Sequence, residues 1–155
     1  GAPLKAPCIG VCSTSLGDSV CRGCKRFAHE IIAWNSYSEQ ERGLVVVRLE
    51  QLLASVVAAR IELFDIARLF QSARILGCQP DGSDPYCHIQ RLLRVAASRI
   101  EQPEDYGFRV RPAFASQSLV QLRDNVERAF LELSAAHYER YLAPGIVAET
   151  PAASR

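Results

Sequence analysis

Four cysteines near the start of the chain constrain its fold more than any other feature. They follow a C-x3-C-x8-C-x2-C pattern, at Cys8, Cys12, Cys21 and Cys24, in a segment rich in Gly, Ser and Pro. Residues 1–25 show neither helical nor strand periodicity, so something other than an apolar core must order them. Two close cysteine pairs, each on its own turn, can place four thiolates around one zinc ion or an iron–sulfur cluster. The spacing therefore predicts a four-thiolate metal site.

The residues around the second pair suit thiolate ligands. Arg22, Lys25 and Arg26 lie beside Cys21 and Cys24 in the sequence, and a nearby cation lowers the pKa of a thiol and offsets the charge of bound thiolates. Gly23 allows a tight turn whose backbone amides point at sulfur. Trp34 is expected to cover the metal loop and join it to the rest of the protein. We predict that these four residues, Arg22, Gly23, Lys25 and Trp34, surround the ligands.

The spacing favours zinc and leaves an iron–sulfur cluster as the alternative. Common cluster motifs bring three cysteines close together in sequence, whereas here two pairs are separated. A zinc ion closed by four thiolates has no open coordination position, so it would stabilise the loop without performing chemistry. A cluster would instead indicate a redox or metal-sensing protein.

Beyond residue 38, apolar residues recur at intervals of three or four, which predicts amphipathic helices. Helix starts are indicated by the capping box of Ser38 and Glu41, by Asp65, by Asp84 before a proline, and by Ser116 or Ser118. Gly77 is expected to end a helix. Residues 61–64 and 108–111 are short enough to be extended links.

These patterns predict an all-α fold: a small helical bundle with an N-terminal metal-stabilised cysteine loop. The expected organisation is a tetra-cysteine module at residues 1–37, a helical bundle at 38–142 and a disordered tail at 143–155. The bundle is expected to act as an interaction or adaptor module that binds a protein partner.

Charge and motif content exclude several classes of function. The 18 Lys and Arg nearly balance the 17 Asp and Glu, so only a local patch, such as Arg109 and Arg111, could bind RNA. This RNA-binding accessory role is a weaker alternative.

No apolar run reaches the roughly 18 residues of a membrane span, and no signal-peptide pattern begins the chain, so we expect a cytoplasmic protein that does not bind membranes. The sequence contains no Glu-x-x-His pair, catalytic triad or phosphate loop, so none of these motifs predicts an enzyme.

Three further residues of types that bind metals lie later in the chain, at Cys78, Cys87 and His88. They leave a tetrahedral site one ligand short, and Cys87 lies in an apolar helix start. Buried core thiols are therefore favoured, although a role for these residues stays open.

Several motifs also identify a family resemblance. They are P-C-I-G-V-C at 7–12, C-R-G-C-K-R at 21–26, Glu30-Ile31, Trp34 and Glu41-Arg42. In this order they resemble the small bacterial proteins grouped as domain of unknown function 1289, over about residues 5–50. Those proteins are described as predicted iron–sulfur proteins, so the resemblance implies a metal-binding module without supplying a reaction. Phe27 departs from the small polar residue expected there, and residues 55–142 are similar to the helical extension of longer members.

Overall fold

Helices make up most of the structure. The computed structural model describes residues 6–8 and 12–142, and within these ranges it contains five α-helices and one two-stranded sheet. The elements are α1 (Ala28–Ala33), α2 (Glu39–Ala58), β1 (Ile61–Leu63), α3 (Ile66–Ile75), α4 (Pro85–Ala96), β2 (Phe108–Val110) and α5 (Leu119–Tyr141). Short 3-10 helices lie at Ser13–Leu16, Trp34–Ser36, Ala97–Arg99, Pro103–Tyr106 and Pro112–Phe114. Of the predicted all-α bundle, the mostly helical character is confirmed, and the structure adds a small two-stranded sheet. The predicted tail at 143–155 lies outside the described residues.

The predicted capping residues begin the helices. Ser38 accepts a hydrogen bond from the N–H of Glu41 (3.1 Å), whose carboxylate accepts the N–H of Ser38 (3.0 Å), and this capping box precedes α2. Asp65 caps α3 through the N–H of Arg68, and Asp84 caps α4. Ser118 begins α5 in the same way as Ser38 begins α2, with Gln121 as the reciprocal partner. Each cap satisfies backbone donors that the first helical turn leaves free.

The two predicted extended segments pair with each other. β1 and β2 form an antiparallel ladder in which Ile61 faces Val110 and Leu63 faces Phe108. Ile61 and Phe108 are fully buried. The alternation of buried and exposed residues along each strand places one face of this ribbon in the core and leaves the other in solvent.

The chain divides into two compact units, Gly1–Val47 with Leu131–Arg155, and Arg48–Phe130. In the first unit, the ring of Phe27 is buried and packs on His137 and Tyr138 of α5, with ring centroids 6.2 and 5.3 Å apart. The second unit has its own apolar core, in which Val57, Leu69, Ile89, Leu92, Leu93, Leu122 and Val126 are fully buried.

Among the helices described, none combines the length and apolarity needed to cross a membrane. The sequence-based division into a cysteine module at 1–37 and a helical bundle at 38–142 stays a prediction, because it is a statement about which parts of the chain fold and function independently.

Candidate metal centre

Cys21 and Cys24 lie on one tight turn at the end of a short hairpin. Val20 and Phe27 form an antiparallel bridge, and inside it the N–H of Cys21 donates to the carbonyl of Arg26 (2.9 Å). The N–H of Lys25 donates back to the carbonyl of Cys21 (2.8 Å). Lys25 has φ of 65°, a left-handed conformation that closes the turn. Both cysteines are consequently buried, at 2% and 8% exposure.

Backbone amides surround the sulfur of Cys21. Burial opposes ionisation of this thiol, but hydrogen bonds from the backbone N–H groups of Cys24, Ser13 and Gly23, and from the Cys24 thiol, outweigh it and lower the pKa of Cys21 to about 7. Donors aimed at sulfur stabilise the thiolate, which is the form that binds metals. The turn therefore favours the thiolate form of Cys21.

The sulfur of Cys24 lies against a cation. Burial raises the pKa of Cys24, while Arg26, whose Nε donates to the sulfur at 3.3 Å, opposes that effect. A thiolate formed here would therefore be paired with a guanidinium.

The first cysteine pair is placed differently. Cys12 is half-buried, and its sulfur lies 2.9 Å from the hydroxyl of Thr14. Cys8 is exposed, and residues 9–11 between the two are outside the described ranges. Ser13, the neighbour of Cys12, is tied to the second turn, because its hydroxyl accepts the N–H of Arg22 (2.8 Å). The hydrogen bond of Ser13 thus attaches the residue next to Cys12 to the turn that carries Cys21.

Within residues 6–8 and 12–142, no three His, Cys, Asp or Glu side chains are grouped closely enough to hold a metal ion. The structure brings together Cys21 and Cys24 as a pair, and it does not collect all four cysteines. The chemistry of the pair, two buried sulfurs with amide and guanidinium donors, fits a thiolate-bound metal. The four-cysteine site and the metal-stabilised loop stay predictions.

Two buried cations accompany the turn. Lys25 is 2% exposed, and its ammonium donates to the carbonyl of Gly23 (2.9 Å). Arg26 is 5% exposed, and its guanidinium lies 4.9 Å from the ring centre of Trp34. A divalent ion bound by four thiolates keeps a net negative charge, which buried cations offset.

The structure thus distinguishes among the residues predicted to surround the ligands. Gly23, Lys25 and Trp34 are in or against the turn. The side chain of Arg22 points to solvent, where it pairs with Asp18 (3.2 Å). Arg26, one of the three cations near the cysteines in the sequence but not among the four residues predicted to surround the ligands, lies against the sulfur of Cys24. Its place two residues after the last cysteine was the available signal, but spacing alone does not tell which of the two arginines is buried.

The later residues of the family motif support the turn. The carboxylate of Glu30 accepts the N–H of Phe27 (2.8 Å), which fixes the start of α1 directly after the hairpin. Arg42 of α2 donates to the carbonyl of Trp34 (2.9 Å), and its guanidinium lies 6.0 Å from the centre of the indole ring. Glu30 therefore contacts the residue that ends the hairpin, and Arg42 contacts Trp34 directly.

In the second unit, Cys78, Cys87 and His88 lie in the core. The sulfur of Cys87 donates to the carbonyl of Glu50 (3.3 Å), and burial, with nearby carboxylates, raises the pKa of Cys87 to about 12. Arg91 lies 3.8 Å from the sulfur of Cys78 and 3.2 Å from Nδ1 of His88. A thiol that stays protonated is a poor metal ligand. These contacts favour a structural role.

Arg109 and Arg111 make intramolecular contacts. The guanidinium of Arg109 lies 4.5 Å from the ring centre of Phe64 and 3.7 Å from the carboxylate of Glu62. Nε of Arg111 donates to the carbonyl of Ala58 at the end of α2 (2.8 Å). Both cations thus already have partners within their own unit. The RNA-binding role stays an untested prediction.

Comparison with known proteins agrees with the motif. Residues 6–53 match the family model described as "Protein of unknown function (DUF1289)". This match covers the cysteine segment, α1 and most of α2, and it confirms the resemblance to that family over less than half of the chain. No curated protein and no solved structure matches the chain. The helical part that follows the DUF1289 segment is consistent with an extension.

Proposed function

We propose that the DUF1289 segment is a metal-binding module whose ligands are Cys8, Cys12, Cys21 and Cys24, with zinc as the favoured metal. The burial of Cys21 and Cys24 together on one tight turn, with the Arg26 guanidinium 3.3 Å from the Cys24 sulfur, is the observation that carries the proposal, and backbone N–H groups at the Cys21 sulfur support it. Such amide donors recur where thiolates are held as metal ligands, because they orient the sulfur and spread its charge. Binding would draw the Cys12 and Cys8 sulfurs onto a pair that the hairpin already presents.

An iron–sulfur cluster is the second candidate metal group. The same amide donors and buried surroundings that stabilise a zinc thiolate would also set the reduction potential of a cluster. The buried cations compensate the negative charge of either group, so they do not separate the two. The cluster would make the protein a redox or metal-sensing protein.

Purification under anaerobic conditions, followed by elemental analysis and a visible absorption spectrum, tests the proposal. A colourless protein with zinc bound in equal proportion to the chain is the expected result. A brown protein containing iron and labile sulfide would instead establish the cluster. A chain that takes up neither metal after reduction of its thiols would refute the proposed function.

The Cys21→Ser variant tests the site itself, and Cys78→Ser is its matched control. Cys21→Ser should lose most of its bound metal and make residues 1–25 more sensitive to proteolysis, because one ligand and its amide contacts are gone. Cys78→Ser removes an equally buried thiol from the other unit and should do neither. Equal metal retention in both variants would show that the four-cysteine assignment is wrong.

For the rest of the chain we propose an interaction or adaptor role with a protein partner. A zinc ion closed by four thiolates offers no position for a substrate. Co-purification of a stoichiometric partner with the full chain, lost on metal removal, is the expected observation. If the metal-free chain retained that partner, the helical part would bind it independently of the metal-binding module.

A further inference from the structure

Arg26 connects the candidate ligand Cys24 to the only tryptophan of the chain. Its Nε lies 3.3 Å from the sulfur of Cys24, and its guanidinium covers the ring of Trp34 at 4.9 Å. Arg42 contacts the same indole at 6.0 Å and donates to the Trp34 carbonyl. One continuous set of contacts therefore runs from a cysteine sulfur to the first turns of α2.

Burial makes this arrangement informative. Arg26 is 5% exposed, and removing a guanidinium from water is costly unless a negative charge or several acceptors compensate it. A cysteine that binds a metal is a thiolate, so its negative charge then faces the guanidinium. The indole face supplies a second favourable contact through its π electrons. The strongest compensation for the buried charge thus depends on the metal.

We propose that Arg26 is a positioning residue that holds Cys24 for metal binding and couples occupancy of the site to Trp34 and the start of α2. This inference rests on the proposed function, since it needs a metal on Cys24. It goes beyond that function by assigning how binding is transmitted to the helices. Arg26 would act through Cys24 and would not itself be a ligand.

Arg22 provides a matched control. It is the same residue type in the same turn, but its side chain is 74% exposed and pairs with Asp18 at 3.2 Å. Exposed ion pairs of this kind contribute little. Removing its charge tests whether any cation near the cysteines suffices.

The experiment titrates reduced, metal-free full-length chain with zinc(II) against a chromophoric chelator, for the wild type, Arg26→Gln, Arg26→Lys and Arg22→Gln. Arg26→Gln should bind zinc about 10- to 100-fold more weakly, the usual effect of losing a group that orients a ligand. Arg26→Lys keeps the charge but not the planar group, and should lose about three- to tenfold. Arg22→Gln should stay within about twofold of the wild type.

Fluorescence of the single tryptophan supplies a readout that altered affinity alone does not move. At saturating zinc, emission should shift in the wild type and in Arg22→Gln, because the fluorescence of Trp34 depends on the position of the Arg26 guanidinium over its indole ring. The same saturated state of Arg26→Gln should show no zinc-dependent shift. Far-UV circular dichroism establishes that each variant is folded.

Each outcome supports or overturns the inference. Equal zinc affinity and equal emission shifts in Arg26→Gln and Arg22→Gln would overturn it while leaving the proposed function intact. If Arg26→Gln does not fold, Arg26→Lys decides, and wild-type behaviour in both measurements overturns the coupling. If the purified chain holds a cluster, the variants are ranked by the rate of cluster loss in air, and the same order is expected. A wild type that binds no metal at all refutes the proposed function and this inference with it.

Discussion

Replacing Gly107 with alanine should disrupt the junction between β2 and α3. Gly107 has φ of +80°, and its carbonyl accepts the N–H groups of Phe64 (2.9 Å) and Asp65 (3.0 Å). A Cβ atom added there would overlap the carbonyl oxygen of Asp65 and lie 3.2 Å from the N atom of Leu69. The obstacle is backbone at the N-terminus of α3, so no side chain can rotate to relieve the overlap.

The expected loss is about 3 kcal/mol of unfolding free energy. A left-handed conformation costs a residue with a Cβ atom about 1–2 kcal/mol. Separating Gly107 from Asp65 weakens two backbone hydrogen bonds, each contributing about 1 kcal/mol. For a chain of this length, such a loss lowers the melting temperature by roughly 10 °C.

Gly77→Ala is the control for this prediction. Gly77 has φ of +82°, and a Cβ atom added there meets nothing within 4 Å. It therefore carries the conformational cost alone, about 1–2 kcal/mol. Denaturant unfolding followed by far-UV circular dichroism measures both variants. If Gly107→Ala were no more destabilised than Gly77→Ala, the argument from close backbone approach would be refuted.

The remaining predictions concern the buried groups of the second unit. Burial, and then the charge of Arg91, lower the pKa of His88 below its usual 6.5, so in acid the unfolded chain binds this proton first. The unfolding free energy should therefore fall as the pH drops below about 6.5, and fall less steeply in His88→Asn; identical slopes between pH 7 and 5 would contradict this. Iodoacetamide at pH 8 should modify the exposed Cys8 of the reduced, metal-free native chain and spare Cys78 and Cys87, which are 3% and 8% exposed. Mass spectrometry of the digested protein checks this, and rapid labelling of Cys87 would argue against its assignment to the core.

Local features were predictable from the sequence because they depend on neighbouring residues. The capping roles of Ser38, Asp65 and Asp84 follow from bonds that span two or three residues. The close placement of Cys21 and Cys24 likewise follows from two intervening residues and a tight turn. The same reasoning could not show that residues 61–63 pair with 108–110, because apolar alternation in a short segment does not identify a distant partner.

By itself, the sequence determined the helical character of the chain, its capping residues and the cysteine motif, since each is encoded within a few consecutive positions. Only the tertiary structure decided that Arg26, and not Arg22, lies against a cysteine sulfur. It also decided that Arg109 and Arg111 contact Phe64 and Ala58. The physical reason is that the burial and partners of a long cationic side chain depend on which elements pack around it, and neighbouring residues in the sequence do not specify that packing.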